Sequence, residues 1–192
     1  MAKENIRSGL CVHLGRTDGQ VETALVKEGL LVHALATDAA IVDAARKYLT
    51  SKHVYGRASV ERAVNLASLP YADSLVNLVV VDDMESLLSG GCSLSEIERI
   101  LAPGGVVLVG ARDGKKSHAK WKRLLVKTGL RDRKTVEDSP GWFSAIKSRP
   151  PGMDQWTHRR HAADGNRLSG DTVVGIPNGP RWIAAPKFSD RS

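Results

Sequence analysis

The sequence predicts an α/β fold of the doubly wound kind: a mainly parallel sheet with helices on both faces, finished at its C-terminal edge by an antiparallel hairpin. Three observations predict it. Short apolar runs recur along the first 150 residues, at LCVHL (10–14), LLVHALA (30–36), SLVNLVVV (74–81) and GGVVLVG (104–110). Runs of this kind mark strands buried on both faces, as a parallel sheet demands. Segments with helical spacing alternate with them, and glycines or capping side chains punctuate the joints.

In chain order, LCVHL is the first strand. Residues 18–28 have helical spacing at Val21, Ala24 and Leu25, with Gly29 as the stop. LLVHALA is the second strand, and Asp38 is placed to cap the helix over 39–50. YGRASVER (55–62) reads as a weaker third strand and SLVNLVVV as the clearest one. Ser93 or Ser95 caps a short helix ending near Leu101. There Pro103 stops the helix, and Gly104 and Gly105 turn into the strand over 104–110. A helix over 115–128, a strand over 130–136, a turn at SPG and a returning strand at WFSAIKS (142–148) complete the series, the last two strands forming the hairpin.

From Arg149 the character changes. Residues 149–192 have no helical period and are rich in Gly and Pro, so the predicted organisation is an α/β domain over 1–148 and an extended tail over 149–192. No internal repeat is visible. Composition is that of a globular chain: 192 residues, 42% apolar, 26% charged and 5% aromatic. The two cysteines, Cys11 and Cys92, sit in or beside apolar segments and read as buried free thiols. The N-terminal MAKENIRSGL lacks the apolar core of a signal peptide, and no apolar run reaches membrane-spanning length. The expectation is a soluble protein, cytoplasmic by default, with no membrane partner.

The net charge of +7 is uneven. Residues 1–110 hold 10 Lys and Arg against 13 Asp and Glu, a balance of −3; residues 111–192 hold 18 against 8, a balance of +10. In KKSHAKWKRLLVKTGL, Lys116, Lys120, Arg123 and Lys127 share one helix face, opposite Trp121, Leu124 and Leu125. A basic stripe can contact a phosphate backbone, but no aromatic residue interleaves with it for base stacking. A solvated helix face accounts for the stripe better than nucleic acid does. His158, His161 and Asp164 in HRRHAAD fall short of a convincing metal site, and no metal is expected. A Gly-x-Ser-x-Gly nucleophile elbow is absent.

Several features converge on one family. CVHLGRTDG (11–19) puts a glycine turn after the first strand, LPYADSLVNLVVV (69–81) leads into and forms the fourth, and EIERILAPGGVVLV (96–109) leads into the fifth. In order and spacing, residues 9–148 resemble class I S-adenosylmethionine-dependent methyltransferases, with RILAPGG as the most specific element. The Gly-x-Gly-x-x-Gly of dinucleotide-binding domains is absent. The tail segment 153–186 resembles the lead-in of bacterial proteins that fuse such a domain to a pyrroloquinoline-quinone-type β-propeller. It implies a propeller domain or protein as a possible partner.

The resemblance implies a Rossmann-like fold, S-adenosylmethionine as cofactor and transfer of its methyl group to an unspecified acceptor. It also implies site residues, several of them altered here. Gly15 and Gly19 stand at turn glycines, Thr17 at the middle one, and Asp18 beside it. A Thr where φ must be positive would cost about 1 kcal/mol or more. Ala36 occupies the place of the acid that accepts from the ribose hydroxyls. Asn65, with Leu66 beside it, stands where an acid meets the adenine amino group, and Asn77 where Asp is common. Asp82 and Asp83 follow the fourth strand, where a carboxylate can orient an acceptor or take its proton; Asp83 or its neighbour can equally cap the next helix. No Asn-Pro-Pro-Tyr-like motif is present, against methylation of base or amide nitrogens. Fold-forming motifs are intact while cofactor-holding ones are eroded, so two readings lead, a methyltransferase with a degenerate site or a non-catalytic scaffold that binds a partner, ahead of a weaker third, a nucleic-acid-binding protein using the basic C-terminal half. The first requires an open pocket at the Gly15–Gly19 turn, and the second predicts that Arg16 or Thr17 fills it.

Overall fold

The computed structural model describes residues 6, 8–110, 114–133, 142–155, 157, 159, 161, 163, 165 and 168–173, with backbone alone at 114–118 and 132–133. The chain divides into two compact units, Met1–Ser148 and Arg149–Ser192.

The first unit is built on seven strands: β1 (Leu10–Leu14), β2 (Leu31–Ala36), β3 (Ala58–Arg62), β4 (Val76–Val81), β5 (Leu101–Gly110), β6 (Leu130–Arg133) and β7 (Trp142–Lys147). They lie in the order β3-β2-β1-β4-β5-β7-β6. β1 to β5 are parallel, and β7 runs antiparallel to both β5 and β6. The doubly wound reading and the C-terminal hairpin are thus what the chain forms. Continuous apolar runs suit the central strands because both faces are covered. Below, Leu25 and Val26 of α1 (Gln20–Lys27) and Val42, Ala45 and Leu49 of α2 (Ala39–Ser51) pack with Val32, Ala34 and Val80. Above, residues of α3 (Met84–Ser89), α4 (Leu94–Ile100) and α5 (Gly114–Leu125) pack with Val12, Val79 and Val107 around Trp121.

Three side chains fasten the ends of these elements. Asp38 caps α2, its Oδ1 accepting from Ala40 N at 2.8 Å. Asn77 Oδ1 accepts from Leu10 N at 3.0 Å, tying the start of β1 to β4. Arg99 braces the LPYAD loop: it donates to Leu69 O, Tyr71 O, Asp73 and Glu96 at 2.6–3.1 Å. The Glu96 and Asp73 carboxylates push the Arg99 guanidinium above its ordinary pKa.

The APGG segment corrects one expectation. α4 ends at Ile100 and β5 begins at once, with Leu101 paired to Val76. Pro103 and Gly104 therefore lie in a bulge within the strand, where the register shifts between Val76 and Leu78. Gly104 takes φ +82, and a Cβ on Gly105 would lie 2.8 Å from Ala102 O. The bulge needs both glycines, the first for its backbone angle and the second for close approach. The SPG turn and residues 134–136 of the expected strand lie outside the described residues.

In α5, Trp121 and Leu125 are buried, while Lys120 is exposed and paired with Glu85 at 2.7 Å. Among the described residues no helix is long and apolar enough to cross a membrane. In the second unit the described residues are turns and loop that gather on Asp154. Its carboxylate accepts from Gly170 N, Gln155 N, Ser169 Oγ and, at 2.5 Å, His161 Nε2. These bonds, that from the Gly170 amide foremost, pull the Asp154 carboxyl down to about 2. His158 and Asp164 lie outside the described residues. Among those described, no group of three His, Cys, Asp or Glu could hold a metal.

Candidate functional site

The carboxyl ends of β1, β2 and β4 surround a cavity of about 420 Å³, lined by Leu14, Gly15 and Arg16 of the glycine loop, Leu35, Ala36 and Thr37 after β2, Leu66, and Asp82, Asp83, Ser86 and Leu87 after β4. This is where open α/β sheets place ligands, and the volume lies within the 300–1,000 Å³ or so typical of small-molecule sites.

The loop hangs on Asp82. Gly15 takes φ +155, and a Cβ there would meet Asp82 Oδ2 at 2.7 Å. Arg16 N donates to the same Oδ2 at 2.9 Å, and Asp82 N donates to Leu14 O at 3.3 Å. Gly19, at φ +90, opens α1. Thr17 differs from expectation: its φ is not positive, so it carries no left-handed strain. The positive angles fall on Gly15 and Gly19, and the Thr17 side chain turns into the protein, fully buried. Its Oγ1 has no hydrogen-bond partner among the described residues. Asp18 stays exposed and accepts from Gln20 N at 2.9 Å.

Beneath the loop lies a charged cluster that sequence reasoning missed. His13, within β1, and Glu22, on the inner face of α1, are both completely buried. His13 Nδ1 is 2.7 Å from Glu22 Oε1, a hydrogen bond. His13 Nε2 is 3.1 Å from Asp82 Oδ1, an ion-pair separation whose angle falls short of hydrogen-bond geometry. Burial opposes a charge on His13, but the two carboxylates outweigh it and lift the imidazole to about 9. Burial likewise opposes ionised Asp82, and the contacts from His13 and Arg16 N outweigh it, leaving the carboxyl below its ordinary value. A histidine inside the otherwise apolar LCVHL strand, with a glutamate nine residues on in the first turn of the next helix, was the signal.

The remaining expected residues are placed as follows. Ala36 lines the cavity and brings no carboxylate to it. Asn65 is exposed and does not line it; its Oδ1 accepts from Ala67 N at 2.8 Å, closing a local turn. Leu66 does line it. Asp83 caps α3, accepting from Glu85 N at 2.9 Å and Ser86 N at 3.3 Å. Asp82 braces the loop, and its lowered pKa makes it a poor proton acceptor near neutral pH.

No family model matches the chain, and no curated protein matches it by sequence. Solved structures do match. A structure from Methanococcus maripaludis described as a putative S-adenosyl-L-methionine-dependent methyltransferase aligns at TM-score 0.68 and 17% identity, covering 78% of this chain and 82% of that one. A SAM-dependent methyltransferase from Aquifex aeolicus aligns at 0.57 and 17%, covering 76% and 85%. Geranyl diphosphate C-methyltransferase from Streptomyces coelicolor A3(2), solved with Mg2+, geranyl diphosphate and S-adenosyl-L-homocysteine, aligns at 0.58 and 13%, covering 73% of each. At these identities the match establishes the fold, the Rossmann-like fold of methyltransferases.

Proposed function

We propose that the cavity binds S-adenosylmethionine, and that residues 1–148 are a methyltransferase-like domain with a reduced cofactor site. The open cavity carries this reading. Gly15 and Arg16 line it, and Thr17 turns into the protein, so the loop does not fill the space it encloses. Leu35, Leu66 and Leu87 supply apolar wall for a purine, and the Gly15–Arg16 backbone would meet the methionine part. Bound there, the cofactor supplies an electrophilic methyl group on a sulfonium. Asp82 contributes negative charge that complements the cation and fixes the loop. Asp83 and Ser86, beside β4, are the groups a methyl acceptor would meet.

A second reading, a non-catalytic module that binds a partner, is favoured by two observations. Ala36 offers the ribose no carboxylate, and the Asn65 amide oxygen is already engaged. Missing one charged bidentate acceptor typically costs about 1.5–3 kcal/mol per bond lost. The tail's resemblance to a propeller lead-in supports a β-propeller as that partner.

Calorimetry on the full chain separates the two, comparing the natural protein with Arg16→Cys, Thr17→Gly, Ala36→Asp. Micromolar binding by the natural protein supports the cofactor reading. Binding by the restored variant alone supports the scaffold, and binding by neither contradicts the placement of the site.

A further inference from the structure

We propose that the β2 rim of this cavity is a phosphate site, so that the cavity takes an adenine nucleotide phosphorylated at the ribose 2′ position. The inference rests on reading the cavity as an adenosine site and names a further ligand for it. Arg62, the last residue of β3, is the register partner of Ala36 on β2, so both side chains leave the sheet on the same face. Arg62 Nε donates to Thr37 O at 3.2 Å, and Thr37 lines the cavity. Arg62 does not itself line the cavity, but this bond tethers its side chain to a residue that does, with both terminal nitrogens unpartnered among the described residues. Arg16 lines the cavity from the glycine loop, and its guanidinium forms no ion pair among the described residues either.

The nearby acids are committed elsewhere. Asp38 and Asp18 accept from Ala40 N and Gln20 N, Glu61 faces His33 Nε2 at 3.6 Å, and Asp82 holds Arg16 N and His13. None forms an ion pair with either arginine. A carboxylate at the end of β2 accepts from ribose hydroxyls, whereas a small residue there with an arginine beside it accommodates a 2′-phosphate. A guanidinium can grip that phosphate through two parallel hydrogen bonds. Ala36 with Arg62 is the second arrangement.

The test is calorimetry on the full chain with adenosine 2′-monophosphate, adenosine 5′-monophosphate, adenosine and S-adenosylhomocysteine, repeated on Arg62→Ala, Arg62→Lys and Ala36→Asp after thermal melts confirm folding. The 2′-phosphate should bind at least tenfold tighter than adenosine or the 5′-phosphate. Arg62→Ala should abolish that preference, Arg62→Lys should keep only part of it, and Ala36→Asp should reverse it. If adenosine or S-adenosylhomocysteine binds but the 2′-phosphate is no tighter, this proposal fails and the cofactor reading stands. A preference that survives Arg62→Ala also overturns it. If no adenosine compound binds, both readings fall together.

Discussion

Replacing His13 by Ala removes the one cation from a site holding two carboxylates, and the structure sets the size of the effect. His13 and Glu22 have no solvent exposure, and Nδ1 and Oε1 are 2.7 Å apart. A rise in imidazole pKa from 6.5 to about 9 corresponds to ~3 kcal/mol, at about 1.4 kcal/mol per tenfold in proton affinity. Breaking a buried pair by deleting one partner costs about 3–5 kcal/mol by general experience. The two routes agree. For a domain stable by roughly 5–15 kcal/mol, a loss of about 3 kcal/mol on His13→Ala is roughly a fifth or more of the total. The sign of the pH dependence follows from the raised pKa. The His13 contribution is complete below pH 6.5 and is lost as pH rises through about 9. Asp82, whose pKa is lowered, contributes above its unfolded value of 3.8 and loses that contribution as pH falls through its lower folded pKa. The cluster therefore supports the fold most between those limits. Urea unfolding at pH 6 and pH 9.5 reads the His13 effect, the variant's deficit shrinking at the higher pH. His13→Leu with Glu22→Leu should recover part of the loss, since no carboxylate is left fully buried and Asp82, partly exposed, keeps its bond from Arg16 N. A single variant costing under about 1 kcal/mol, a deficit independent of pH, or a double variant no better than the single would refute the reasoning.

Three further outcomes are expected. Gly15→Ala forces a Cβ against Asp82 Oδ2 and Cβ, at 2.7 and 2.9 Å, so it should displace the loop, cost about 1–3 kcal/mol and weaken any cavity ligand at least tenfold in calorimetry. Arg99→Ala strips the brace from the LPYAD loop and leaves the half-buried Glu96 without its ion pair, held by Leu69 N; denaturant melts should show a loss of about 2 kcal/mol. Burial raises Cys11 to about 12 and Cys92 to about 11, so neither thiol should react with a thiol-specific chromogenic reagent at pH 8 until denaturant is added.

The sheet was legible in the sequence because its signal is local: LCVHL, LVNLVVV and GVVLVG are each apolar enough to name a buried strand, and Asp38 stands one residue before its helix. What local patterns could not carry was the pairing of distant groups. RILAPGG looks like a helix stop and a turn, yet Leu101 pairs with Val76, a contact no sequence window contains. Thr17 was read from a motif as a strained residue, while the backbone assigns the positive angles to its glycine neighbours. Asp83 or its neighbour was open to a capping role, and Asp83 has it. His13, Glu22 and Asp82 come together only when β1, α1 and β4 are stacked, and Arg62 reaches Ala36 only through the register of two parallel strands.

The proposed cofactor site is the cavity over the Gly15 loop. Its most direct test is a backbone amide NMR titration of the full chain with S-adenosylmethionine. Saturable shifts are expected at Gly15, Arg16, Ala36, Thr37, Leu66 and Asp82–Leu87, with β6 and β7 unmoved. Shifts confined to residues outside that cavity, or none at millimolar cofactor, would contradict it.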